Sequence, residues 1–155
     1  MIVAAILLAA QAAPASRWQV MDNVDPTNHG VSYFAELRGA GRTFLRIRCI
    51  PISGRAAYDI AVHGPTYLGN TTSGPVLLRF GWSAPQSRTW AYHNDTVFSS
   101  SGSEGETVRQ IRAGSSQLVV RLQRFDDYVV DVFFDIRGAD PALTELERRC
   151  QTGSR

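Results

Sequence analysis

The residue types that carry out chemistry are few in this chain, and their spacing does not favour it. Three histidines, His29, His63 and His93, stand far apart, and there are only two cysteines, Cys49 and Cys150. No local group therefore has the ligand spacing of a zinc site. Asp131 and Asp135 would share one face of a strand, as paired carboxylates for acid-base work must. Beside 16 cationic residues, all of them arginine, strand carboxylates are more naturally ion-pair partners. Ser83, in Gly81-Trp82-Ser83-Ala84-Pro85, lacks the second glycine of a nucleophile elbow, and a remote triad through His63 or His93 has no motif behind it. A phosphate loop of the GxxxxGK[ST] type is excluded because the chain has no lysine. The expectation is a non-enzyme with no metal and no cofactor.

The 155 residues are 44% hydrophobic and 19% charged, which suits one globular domain and excludes a disordered or collagen-like chain. A net charge of +2 gives no broad basic field, so nucleic acid is not an expected partner. Ile2 to Ala10 is an apolar run of signal-peptide size, followed by small residues. Residues 1–15 are expected to be a signal peptide cut after Ala15, with Ala12 as the earlier alternative, leaving 16–155 as a single periplasmic or secreted domain. Gln11, Pro14 and Arg17 interrupt the stretch before it reaches the roughly 18 residues a membrane span needs. No transmembrane span is expected in the mature chain.

Export places the two cysteines where they can oxidise. In Thr43 to Cys49, Leu45, Ile47 and Cys49 share a strand face, with Arg46 and Arg48 on the other. Near the C-terminus, Asp140 and Pro141 start a helix on which Leu143, Leu146 and Cys150 fall at i, i+3 and i+7. Both cysteines point inward, so a Cys49 to Cys150 disulfide is expected. Two separate buried thiols are the alternative, since connectivity needs geometry.

The elements that must position these residues are short alternating runs separated by turn residues, a pattern of antiparallel sheet. Strands are predicted at Arg17 to Met21, Val31 to Leu37, Thr43 to Ile50, Tyr58 to His63, Val76 to Trp82, Thr89 to Tyr92, Leu118 to Gln123 and Tyr128 to Ile136. Gly69 to Pro75 and Ser99 to Glu106 read as breaks. The fold class is all-β, an antiparallel β-sandwich with a short C-terminal α-helix tied back by the disulfide. Leu118, Val120 and Leu122 must share a face with Val130, Val132 and Phe134, so pairing residue 122 with 130 puts Arg121 opposite Asp131.

Two surfaces could bind. Trp82, Trp90 and Tyr92, with His93 and Phe98, form an aromatic and polar stretch that could stack on sugars or anchor a protein, although Trp90 and Tyr92 also share a strand face as core residues do. Arg38, Arg42, Arg46, Arg48 and Arg55 make one rim locally basic, unless acids from neighbouring strands pair with them. As exposed charges, Arg46 and Arg48 should contribute little to stability.

Several short motifs occur in a familiar order: Trp18-Gln19-Val20, Leu45-Arg46-Ile47-Arg48-Cys49, Leu77-Leu78-Arg79-Phe80, Trp90 with Asp95 to Phe98, Leu118 to Arg121, Phe134-Asp135-Ile136-Arg137-Gly138, and Arg149-Cys150. In this order they resemble the VasI family of type VI secretion-associated periplasmic proteins, with Arg79-Phe80-Gly81 where that family has R-x-D. The resemblance implies an envelope accessory protein that binds an envelope protein or peptidoglycan, with no catalytic residues. A small secreted inhibitor of lysozyme type, offering a loop such as Ser101 to Glu106 to an enzyme cleft, is the alternative.

Overall fold

The computed structural model describes residues 17–27, 30–53, 55–114 and 116–152. The expected signal segment, both cleavage positions and His29 lie outside the described residues. β1 (Trp18–Val24), β2 (Val31–Arg38), β3 (Phe44–Ile52) and β4 (Arg55–His63) form an antiparallel meander. After it come β5 (Gly69–Phe80), β6 (Gln86–Asn94), β7 (Thr96–Phe98), α1 (Gly105–Arg112), β8 (Leu118–Gln123), β9 (Val129–Phe134) and α2 (Ala139–Thr152).

The two sheets expected of a sandwich are joined here in one curled sheet of order β1-β2-β3-β4-β7-β6-β5-β8-β9. The three-residue β7 makes the joint, pairing with β4 on one side and β6 on the other. Three residues are too few to display alternation, and the detectable signal is the turn before them. Asn94, at φ 59°, takes the left-handed conformation that tight hairpin turns require. The curl brings distant strands together: a β-carbon added at Gly39, just after β2, would lie 3.1 Å from Phe134 Cε1 on β9.

One face of each of these strands feeds a common core. Leu45 and Ile47 of β3, Ile60 and Val62 of β4, Val76 and Leu78 of β5, and Leu118, Val120 and Leu122 of β8 are all 2% exposed or less. Val108 and Ile111 of α1 and Leu143 and Leu146 of α2 complete that core. The predicted break at Gly69 to Pro75 is instead the first half of β5, with an irregular register between Thr71 and Gly74. Gly74 is required there because the Tyr92 ring would lie 2.7 Å from any β-carbon at that position. The Tyr92 hydroxyl then donates to Pro75 O at 2.5 Å and accepts from Gln123 N at 3.2 Å, holding β5, β6 and β8 together.

Sequence reasoning misses α1, whose apolar stripe is only Thr107, Val108 and Ile111. Its charge order was the available signal, with Glu106 in the first turn and Arg109 and Arg112 in the last, matching the helix dipole. α2 and the Cys49 to Cys150 disulfide form as expected, with the two Cα atoms 6.1 Å apart. Glu147 of α2 accepts from the Tyr58 hydroxyl of β4 and pairs with Arg112 of α1 at 2.9 Å, adding a polar tie beside the covalent one. Burial and the Glu147 contact push the Tyr58 phenol well above its ordinary pKa. The β8–β9 register is the expected one, Leu122 opposite Val130 and Arg121 opposite Asp131. No helix among the described residues is long and apolar enough to cross a membrane.

Candidate functional site

The residues of possible catalytic type are dispersed or already engaged. Arg121 Nε donates to Asp131 Oδ1 at 2.7 Å and Arg137 Nε to Asp135 Oδ1 at 2.8 Å. Each arginine's hydrogen bonds hold its carboxylate below the ordinary range. A general acid needs the opposite shift. Ser83 precedes β6, whereas His93 lies near the end of that strand, so the roughly 24 Å of strand from Gln86 to His93 lies between them. His63 sits at the same end as His93, both of them opposite Thr96, and its Nδ1 is 3.0 Å from Thr96 Oγ1. Among the described residues no group of three or more His, Cys, Asp or Glu is placed to hold a metal ion.

Apart from Arg42, which lies in the turn between β2 and β3, the arginine rim occupies the outward face of β2, β3 and β4, and register explains its chemistry. Arg46 stands opposite Glu36 and Arg48 opposite Asp59. Both arginines bond to those acids, and the Asp59 hydrogen bonds raise Arg48 above its ordinary value. Glu36 is a charged residue only 1% exposed on an outward face, a burial that strand periodicity alone does not foresee. Its cover is built from aromatic rings and guanidinium. The Arg46 guanidinium lies 4.4 Å from the Phe34 ring centre and 4.9 Å from that of Phe44, and donates to Glu36 Oε2 at 2.6 Å and 3.1 Å. On its other flank Phe44 stacks parallel to His63 with centres 4.8 Å apart. Arg38 Nε lies 2.8 Å from Glu36 Oε1, close enough for charge attraction but without hydrogen-bond alignment.

Arg46 is therefore part of the fold's electrostatic cover and differs from Arg48, which is an exposed strand pair. Arg46→Ala is expected to lower stability by about 1–3 kcal/mol, the cost of leaving a buried acceptor short of a partner. Arg48→Ala should cost less than about 1 kcal/mol. Denaturant midpoints of the two variants check this, and equal midpoints would show that Glu36 does not depend on Arg46. For Arg46 this prediction replaces the sequence expectation of little change, because register places the buried Glu36 opposite it.

The aromatic stretch divides by burial. Trp90 and Tyr92 lie in the core, so these two expected binding residues cannot reach a partner. Trp82 is 97% exposed, one residue into the turn that follows β5. That turn is tied down: Gly81 N–H donates to Gln117 O at 2.8 Å, and Ser83 N–H to Phe80 O at 3.0 Å. Beside it lies a shallow depression of about 480 Å³, bordered by Arg79, Gln117, Asp135 and Arg137. The Ser101 to Glu106 segment is partly exposed and partly packed. Glu104 within it is buried, Glu106 belongs to α1, and the turn at Gly102 packs toward Ala57 and Ile52.

Glu104 escapes sequence reasoning, as Glu36 does. Its Oε1 accepts from Trp90 Nε1 at 2.9 Å and its Oε2 from Thr107 Oγ1 at 2.5 Å, inside the core beside the N-terminus of α1. A glutamate in a Ser/Gly-rich stretch carries no sign of burial, because the tryptophan that satisfies it arrives from β6. Compared with models of known protein families, with curated proteins and with solved structures, the chain matches none.

Proposed function

We propose that this chain is an exported, non-enzymatic module of the cell envelope that contacts an envelope protein through the Trp82 turn. The observation that carries the reading is an indole left almost wholly in water on a hydrogen-bonded turn, with Arg79 and Arg137 beside it. Tryptophan and arginine dominate the energetic centres of protein interfaces, and a turn already fixed loses little freedom on binding. Export is supported by the apolar run Ile2 to Ala10 and by the disulfide, a bond that persists in oxidising compartments. The motif order that resembles the VasI family adds a secretion-associated role. Peptidoglycan is the other partner chemistry, and the same experiment separates the two.

The mature protein and its Trp82→Ala variant are compared on envelope extracts and on purified peptidoglycan sacculi. The expected result is a protein retained by the wild type at least about tenfold better than by the variant, a difference of roughly 1.4 kcal/mol. Neither protein should release soluble fragments from sacculi. Retention indifferent to Trp82 removes the turn as the contact, and fragment release removes the non-enzyme reading.

A further inference from the structure

We propose a carbohydrate-binding site, sized for one pyranose ring, at the end of the sheet away from Trp82. Three segments meet there: the connection from β4 to β5, the irregular stretch of β5 between Thr71 and Gly74, and the β8–β9 turn. They border an open cleft of about 260 Å³ lined by Asn70, Thr71, Ser73, Gln123, Phe125 and Asp127.

Phe125 in its lining belongs to a group of aromatic side chains beside the cleft. Phe125 is 65% exposed and Tyr128 70%, and Tyr67 meets Phe125 edge-to-face with centres 5.5 Å apart. The Arg124 guanidinium lies 5.7 Å from the Phe125 ring centre and 5.9 Å from that of Tyr128. Single exposed hydrophobics need no explanation, but three neighbouring rings on a rigid support do. Phe125 N–H donates to Leu68 O at 2.8 Å, Arg124 N–H to Tyr128 O at 2.7 Å and Asp127 N–H to Arg124 O at 3.0 Å. The β-carbon of Phe125 would lie 2.9 Å from any β-carbon at Gly69, so a glycine at φ 119° seats this turn while the ring stays in water.

The polar groups are oriented in the same way. Gln123 Nε2 donates to Asp127 Oδ1 at 2.9 Å, leaving the Gln123 carbonyl and the second Asp127 oxygen to accept from hydroxyls. Asn70 Oδ1 accepts from Asn94 N–H at 3.0 Å and its amide donates to the Tyr67 hydroxyl at 3.1 Å, which fixes the amide plane. Ring faces with negative quadrupoles suit the C–H side of a sugar ring, while oriented amides and a carboxylate suit its hydroxyls.

Other ligand classes fit less well. Arg124 is paired with Asp126 at 2.9 Å and Asp127 adds a further negative charge, which disfavours an anion. A peptide adding a strand needs a regular free sheet edge; β5 pairs with β8 over Val76 to Phe80, and its half beside the cleft is irregular between Thr71 and Gly74. The cleft is shallow and falls below the roughly 300 Å³ usual for enclosed apolar ligands.

The test is calorimetric titration of the mature protein with chitotriose and with cellotriose, which separates an N-acetylated sugar from a plain glucan. Binding of either, with a dissociation constant on the order of 1 mM or tighter, is expected. Phe125→Ala keeps the β-carbon that packs on Gly69, so the fold should persist, and affinity should fall at least about tenfold with an unchanged melting temperature. Tyr67→Ala, which removes the ring that supports Phe125, should weaken binding in the same direction. The proposal is overturned if neither sugar binds at millimolar concentration, or if binding is indifferent to both substitutions.

Discussion

Trp90→Ala is expected to remove about 3–5 kcal/mol of stability through lost burial and the cavity it leaves. It should cost more still because Glu104 would keep its place in the core without the indole N–H. A buried acceptor deprived of its donor costs roughly 1–3 kcal/mol, and the stability of a whole domain is only about 5–15 kcal/mol. The variant should therefore unfold at markedly lower denaturant and populate unfolded chain at moderate temperature. Trp90→Phe separates the two contributions, since it keeps much of the ring but none of the Nε1 donor, which meets Glu104 Oε1 at 2.9 Å. It should still cost about 1–3 kcal/mol. Glu104→Gln should cost less, because an amide oxygen can still accept from the indole and the Thr107 hydroxyl can rotate to accept from the amide. A Trp90→Phe variant as stable as wild type would show that the Glu104 bond contributes nothing.

The second large effect is expected at the disulfide. Cys49 and Cys150 are 101 residues apart in sequence, so removing their bond frees a loop worth up to about 4.7 kcal/mol in the chain-entropy model. The double variant Cys49→Ala with Cys150→Ala is the suitable probe, because both side chains are buried and a serine hydroxyl would lack partners there. A loss of about 2–5 kcal/mol is expected. The native sheet should survive, since Leu143 and Leu146 still bury against the core and Glu147 still ties α2 to Tyr58 and Arg112. Equilibrium unfolding gives a second readout: without the cross-link the unfolded chain is more open, so the denaturant slope should rise as the midpoint falls. Unchanged midpoint and slope, or two reactive thiols in the native wild type, would refute the role assigned to this bond.

These effects lie in the scaffold, whereas the proposed contacts at Trp82 and Phe125 sit on turns held by backbone hydrogen bonds. Alanine at either position should therefore leave folding intact while altering binding. Arg46 belongs with the scaffold despite its partial exposure, because it completes the cover over Glu36. That assignment separates it from Arg48, its neighbour on the same strand face.

What the sequence determined by itself was face and local order. Period-two alternation fixed which side chains of β3, β8 and β9 turn inward, and from it the Arg121 to Asp131 register and the inward cysteines could be read. The capped, amphipathic C-terminal segment likewise announced α2. Alternation does not say which strands become neighbours. The joining of two expected sheets through Thr96–Phe98 was decided by tertiary pairing of a segment too short to carry a pattern. Continuation of β5 through Gly69 and Gly74 was decided by the Phe125 and Tyr92 side chains that pack on those glycines. The burial of Glu36 and Glu104 depends on Arg46 and Trp90 arriving from β3 and β6, and the aromatic cleft on a hydrogen bond from Phe125 to Leu68. The β4–β7 pairing and the Leu68–Phe125 bond join residues far apart in the chain, and across the β2–β3 hairpin alternation gives a face but not the burial of Glu36 that side chains from β3 complete.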